Sequence, residues 1–474
     1  MEWLIFLPSL LALGLSLIIR NAFLALSIGA LSGAFIYSWN QWSEFPAYVF
    51  DIFIGNHIFS SWKMGAFLLT LQLGALSALL DRNNSLERFF NYLNATYEDK
   101  RKSLMTLALM GLVCFYDGLA NSILLGRVSV KLKDRFAVSN EKLAYIVDST
   151  SSSVACLIIF STWTAYQISL IQMALENSSF NGQGLQILIQ SIPFNLYSVL
   201  TLVMVFIAIY FNLNLGTMKK VEMAAEKTFK AKKNISHDKN FKLFKSTFPF
   251  IVLFLSFIVF VFILSFFKAP EASLFNQFIY TLSDNSIPWL LNLSAFCSWF
   301  SLLLLREKNL LTFKQALISS YTGLMNILKP CMILFGAWAI SNVISDLGAG
   351  QAISNYYSSI DLANQWLPLS VFVVSCLVAF FTGTSWGTLA LMIPLVVPVA
   401  ADLGTDSMLT AATVGAIFGG AVFGDHCSPL SDTSVVSAFA TECELKQHIK
   451  TQIPYALVVA GICCILYTLL GLFI

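Results

Sequence analysis

Residues 421–434 read AVFGDHCSPLSDTS, and the eight positions 425–432 hold Asp425, His426, Cys427 and Asp432. Carboxylates and an imidazole this close together can bind a cation, move a proton or ligate a metal. A zinc site is disfavoured, because Asp425, His426 and Cys427 are sequential and cannot all face one ion from a helix. A Ser-His-Asp hydrolase would need a nucleophile elbow, and none surrounds His426. Three more polar runs carry the same residue types: DGLANS (117–122), DSTSSS (148–153) and TGTSWGT (382–388). Each lies between apolar stretches, so its chemistry depends on the solvent around it.

Composition identifies that solvent. The 474 residues are 57% hydrophobic and 11% charged, where a soluble domain carries about 25% charged residues. Apolar runs at 3–19, 22–38, 64–80, 191–211, 248–267, 286–305 and 454–474 have the length of bilayer-crossing helices. They are too long for barrel strands, and lipid leaves no other way to satisfy the backbone. The sequence therefore predicts an all-α polytopic membrane protein. The N-terminal run has Glu2 in place of a basic region and no small-residue cleavage site, so it reads as a first spanning helix. Nine cysteines include no CxxC pair, and most lie in apolar runs as small hydrophobes. The net charge of +2 gives no reason to expect nucleic acid as a partner.

An internal repeat is visible. Asp81 matches Asp346, Phe115 matches Phe380 and Gly118 matches Gly383, all at a shift of 265. Asp148 then matches Asp425 at 277, so the second copy gains 12 residues between the blocks. Loops 81–102 and 127–142 are rich in Lys and Arg, whereas the matching loops 346–365 and 392–413 have none. Basic short loops stay cytoplasmic, so the two copies are expected to be inverted in topology, a plan common in secondary transporters. Segments 103–126 and 366–391 each have loops of one character on both sides, which predicts re-entrant hairpins broken at DGLANS and TGTSWGT. The chain divides into a first membrane half (1–213), a basic linker (214–247) and a second membrane half (248–474). The linker has nine basic and three acidic residues and is expected to lie solvated at the cytoplasmic surface.

In this setting the polar runs become an ion site. A charge in the bilayer core costs at least about 2.5–3.5 kcal/mol, so a carboxylate there is expected to hold a cation in one state and a proton in another. Asp148 and Asp425 are the expected titrating pair and the Na+ candidates, with Asp117 and Asp432 as further cation- or proton-binding carboxylates. Asp117 could instead cap a turn, and Asp432 could cap the helix that starts at VVSAFA. Asn121, Ser122, Ser149, Thr150, Thr384, Ser385, His426 and Ser428 are expected to line the substrate site, His426 being equally suited to packing. Helices are expected to break at each run: Pro429 frees a carbonyl in the last, and the hydroxyls of DSTSSS compete for backbone bonds. No cofactor loop or paired catalytic motif points to an enzyme, and a passive channel would need no inverted repeat.

The stretch GDHCSPLSDTS, followed by HIKTQIPYA (448–456), resembles the NhaC family of Na+/H+ antiporters. YDGLANSILLG and VDSTSSSV in the first half look similar too. The resemblance implies inverted repeats, broken helices, a homodimer, a multi-pass protein of the cell inner membrane, and exchange of Na+ or Li+ for protons without a cofactor. One departure matters: Tyr116 stands where many members carry an acidic residue. The alternative is a Na+- or H+-coupled carrier or exchanger of a small organic solute, such as a carboxylate, amino acid or amine.

Overall fold

The structure, a computed structural model, describes residues 4–5, 7–19, 21–39, 41–55, 61–83, 99–115, 117–133, 135–176, 178, 183–229, 243–268, 286–306, 311–348, 363–403 and 407–473. Every regular element among them is helical. The first half holds α1 (Leu7–Ile19), α2 (Ala22–Tyr37), α3 (Phe45–Ile54), α4 (Ser61–Arg82), α5 (Lys100–Val113), α6 (Gly118–Lys133), α7 (Asn140–Leu157) and α8 (Thr162–Glu176). It continues with α9 (Gly184–Ser191), a 3-10 turn (Ile192–Phe194) and α10 (Leu196–Tyr210). The linker contributes α11 (Met218–Thr228). The second half holds α12 (Leu243–Lys268), α13 (Ile287–Leu305), α14 (Phe313–Asp346), α15 (Ala363–Thr382), α16 (Ser385–Leu403), α17 (Ser407–Cys427), α18 (Asp432–Ala440) and α19 (Leu445–Gly471).

Among the described residues, six helices are long and apolar enough to cross a bilayer, and the bent pairs α7–α8 and α9–α10 bring the number to eight. The predicted apolar runs correspond to α1, α2, α4, α9–α10, α12, α13 and α19. Burial separates two populations. The spanning window of α17 is 83% buried, whereas that of α12 is 22% buried and shows a row of phenylalanines outward. The outer helix therefore has lipid as its solvent, and α17 is enclosed by protein. Glycines make that enclosure tight. A Cβ on Gly420 would lie 2.5 Å from Ser375 Cβ, and one on Gly424 2.1 Å from Ala379 Cβ, so only glycine lets α17 approach α15 this closely.

The hairpins differ in length. The arms α5 and α6 have 14 and 16 residues, about 21 and 24 Å, short of the roughly 30 Å hydrocarbon core. The arms α15 and α16 have 20 and 19 residues and are each long enough to cross alone. Among the contacts, α6 packs on α7 and α18, and α16 packs on α17 and α8.

Two elements depart from expectation. The helix does not break at DSTSSS: α7 runs through 148–153 and breaks at 158–161, with a bend of 45° to α8. Thr150 and Ser151 hydroxyls donate to the carbonyls of Ile146 and Asp148, so they bond along the helix without displacing its backbone bonds. The new helix starts where Ser161 Oγ accepts the Thr164 N–H at 3.2 Å, an N-cap. The linker is also not wholly solvated. Glu222 of α11 is buried, accepts the Ser139 N–H at 2.7 Å and hydroxyl at 2.6 Å, and pairs with Lys100 at 3.2 Å. It thereby ties the starts of α5 and α7 together. Residues 230–242 of the linker and Tyr116 lie outside the described residues.

Candidate functional site

The polar centre lies where α7, α17, α18 and α19 meet. Asp148 is fully buried and receives four side-chain donors. Ser434 Oγ of α18 donates to Oδ2 at 2.8 Å and Ser437 Oγ to Oδ1 at 3.3 Å. From α19, His448 Nε2 lies 3.1 Å and Gln452 Nε2 2.7 Å from Oδ2. These donors are 286–304 residues away in sequence, which is why they are absent from the expected site. The available signal is the spacing of His448 and Gln452, four residues apart on one face of a spanning helix.

Asp425 stands in contrast. It is 1% exposed, yet neither carboxylate oxygen has a hydrogen-bond donor in the protein. It sits in the last turn of α17, where carbonyls point forward and the helix dipole favours positive charge. Ser385, at the tip between α15 and α16, faces it with its N–H and hydroxyl outside hydrogen-bond geometry. The tip is fixed by Gly383, whose φ of +66° requires glycine, and a Cβ there would lie 2.4 Å from Leu430 Cβ. Ser434 links the two aspartates: its hydroxyl reaches both Asp148 Oδ2 and the Asp425 carbonyl, and with one proton it can donate to one at a time.

The other expected residues divide by role. Asp117 is half-buried and caps α6: Oδ1 accepts the Ala120 N–H at 2.8 Å and Oδ2 the Thr162 hydroxyl at 2.8 Å. Asp432 is exposed and is the first residue of α18, bonded to its own Thr433 N–H at 2.9 Å. The cap of α18 is Ser431, not Asp432, with Ser431 Oγ accepting from Ser434 N at 3.4 Å. Asn121 Nδ2 donates across the first hairpin to the Gly111 carbonyl at 2.9 Å, and its Oδ1 is buried without a partner. Ser122 Oγ lies 3.1 Å from Ser437 Oγ, whose one hydroxyl proton can go either to Ser122 or to Asp148 Oδ1. Thr384 and Ser428 accept backbone N–H groups of Gly387 and Leu430, shaping the breaks. Thr150 is engaged with its own helix, and Ser149 lines a small cavity beside Gln452. His426 is packed, with Nε2 3.0 Å from Ser152 Oγ and Nδ1 3.0 Å from Tyr197 OH. Among the described residues, no group of three His, Cys, Asp or Glu side chains could hold a metal ion.

Residues 154–472 match the model of the Na+/H+ antiporter family. An uncharacterized protein of Haemophilus influenzae is 30% identical over 474 residues, covering 98% of this chain and 90% of that protein. The malate-2H+/Na+-lactate antiporter of Bacillus subtilis is 27% identical over 187 residues, 38% of each chain. Among solved structures, the Alcanivorax borkumensis YdaH transporter, described as having an unusual topology, aligns with a TM-score of 0.66 at 12% identity. The alignment covers 90% of this chain and 89% of that one, and the two share a fold.

Proposed function

We propose that this chain, which belongs to the Na+/H+ antiporter family, exchanges Na+ or Li+ for protons by alternating access. Membership makes it a membrane-embedded secondary antiporter; the species exchanged are the proposal. The observation that carries it is Asp425, a buried carboxylate with no donor in the protein. An isolated ionised carboxylate is too costly in such surroundings, so it alternates between a proton and a cation. The end of α17 supplies a favourable field for the cation, and Ser385 and neighbouring carbonyls supply neutral oxygens. Asp148 keeps its charge within four donors and holds α7, α18 and α19 together around the exchanging group. Asp117, Asp432, Asn121 and Ser122 line the approach from the first hairpin. The two halves are inverted repeats, and the hairpins with the broken helices move together against the outer helices. The chain works in the bacterial inner membrane, as a homodimer.

The test is collapse of a pH gradient in everted vesicles of an antiporter-deficient host on adding Na+, Li+ or K+. Wild type is expected to respond to Na+ or Li+, and Asp425→Asn to give no response. Silence from well-inserted wild type with every cation would defeat the reading. A second reading has one observation in its favour, the Bacillus subtilis relative that exchanges malate and lactate. Under it the hairpin tips at Thr384–Ser385 and Asn121–Ser122 bind a small carboxylate, and cation flux depends on that solute.

A further inference from the structure

Beside the aspartate centre lies a second polar feature. Tyr145 of α7, Thr201 of α10 and Gln452 of α19 are buried, and Tyr145 OH, Thr201 Oγ1 and Gln452 Oε1 have no partner in the protein. All three residues line one cavity of about 10 Å³, together with Ser149, Tyr197 and His426. That is room for about one water, and polar walls with two to four partners are what an internal water needs. No carboxylate lines the cavity, so a dehydrated cation would find no counter-charge there. A water accepts from one hydroxyl and donates to Gln452 Oε1. This fixes the amide with Nε2 toward Asp148 Oδ2 and the His426 carbonyl, at 2.7 and 3.1 Å.

The cavity also lies between the expected cytoplasmic rim and His426. On the rim side, Tyr145 stacks on Tyr455 at 4.3 Å, and Tyr455 OH bonds Leu213 O and Leu215 N after α10. On the inner side, Tyr197 OH meets His426 Nδ1, and His426 Nε2 meets Ser152 Oγ, both at 3.0 Å. The charged and titratable groups that face His426 are Asp148 of α7 and His448 of α19.

We propose that this cavity holds one internal water, and that the water is the proton port of the exchanger, separate from the cation path at the hairpin tips. A proton arriving from bulk water makes the cavity water a hydronium, which gives a proton to the Tyr197 oxygen as the Tyr197 hydroxyl proton passes to His426 Nδ1. Neutral water, neutral Tyr197 and an imidazolium result, with the imidazolium Nε2–H held by Ser152 Oγ at 3.0 Å. The same steps in reverse unload it, so one proton enters or leaves through the cavity in each pass. The relay rests on the exchange reading; the water site does not.

Two measurements separate these claims. Radiolytic labelling of the purified protein modifies side chains beside bound water even when they are buried. Tyr145 is expected to label several-fold faster than Tyr467, a buried tyrosine whose hydroxyl bonds the Phe194 carbonyl. Thr201→Ile, or Thr201→Val if that variant fails to insert, is expected to suppress the labelling, and Thr201→Ser to retain it. Labelling of Tyr145 no faster than Tyr467 overturns the water site, whatever the protein transports. For the relay, Tyr197→Phe is expected to slow cation-driven proton movement at least about tenfold while Na+ still protects the variant from thermal unfolding. Wild-type proton rates in Tyr197→Phe overturn the relay. Absence of exchange in wild type, with Tyr145 labelled, defeats the exchange reading and leaves the water site standing.

Discussion

Asp148 and Asp425 align in the sequence at a shift of 277, yet Asp148 lies midway along α7 and Asp425 in the last turn of α17, and the protein treats them in opposite ways. Asp148 has four side-chain donors drawn from α18 and α19, while Asp425 has none. A carboxylate with its lone pairs occupied by protein donors is a fixed charge and a structural hub. A buried carboxylate without donors must recruit its partner from outside. Under the proposed exchange the pair divides the work: one aspartate holds the frame and the other meets the ion. Symmetry of sequence does not carry symmetry of role, because α19 supplies His448 and Gln452 to one side of the centre only.

The largest expected effect breaks the comparison at its functional end. Asp425→Asn should reduce cation-driven proton movement to the level of empty vesicles. Its thermal stability in detergent should stay equal or rise, since a group without protein donors is being neutralised. Asp148→Asn should do the reverse in stability. Hydrogen bonds to a charged group contribute about 1.5–3 kcal/mol each, so the variant should lose at least about 2 kcal/mol and melt several degrees lower. Adding His448→Ala to Asp148→Asn should then cost less than His448→Ala alone, a coupling that a double-mutant cycle reads directly. If Asp425→Asn destabilises and Asp148→Asn does not, the two roles are exchanged.

How far this was legible in the sequence follows the same division. The spanning helices were legible because lipid imposes one simple demand, long apolar runs with internal backbone bonding. The carboxylates were legible because charge is rare in such runs. The donors around Asp148 were not, since Ser434, Ser437, His448 and Gln452 reach it only through helix packing across about 300 residues. The break in α7 was misplaced because serine and threonine bond equally well along an intact helix. The ten-residue α3 carried no strong signal, and the docking of α11 depends on one buried glutamate, Glu222, in a stretch whose composition reads as solvent-facing.

The two hairpin tips offer a smaller test. Gly383 needs its positive φ, and a Cβ there would press on Leu430; Ser385, two residues on, faces Asp425. A Cβ on Gly118 would lie no closer than 3.7 Å to any neighbouring atom. Gly383→Ala should therefore cost about 1–2 kcal/mol for the left-handed backbone, shift the tip away from Asp425 and lower the apparent Na+ affinity. Gly118→Ala should leave that affinity within about twofold, since a helix-starting alanine is a small local change. Equal losses at both tips would mean that the second hairpin has no special hold on the exchanging carboxylate.

The smallest effect concerns the residue that serves both aspartates. Ser434 has one hydroxyl proton for two acceptors, Asp148 Oδ2 and the Asp425 carbonyl. Asp148, a fixed charge, draws that proton to its Oδ2 and leaves the Asp425 carbonyl free to face an incoming cation. Ser434→Ala removes one donor and leaves three on Asp148. The expected loss of stability is about 1 kcal/mol, read as a small drop in melting temperature. Apparent Na+ affinity should stay within about twofold of wild type, because the Asp425 carbonyl is free in both. A loss of affinity as large as that of Gly383→Ala would show that Ser434 belongs to the exchanging site and not to the frame around Asp148.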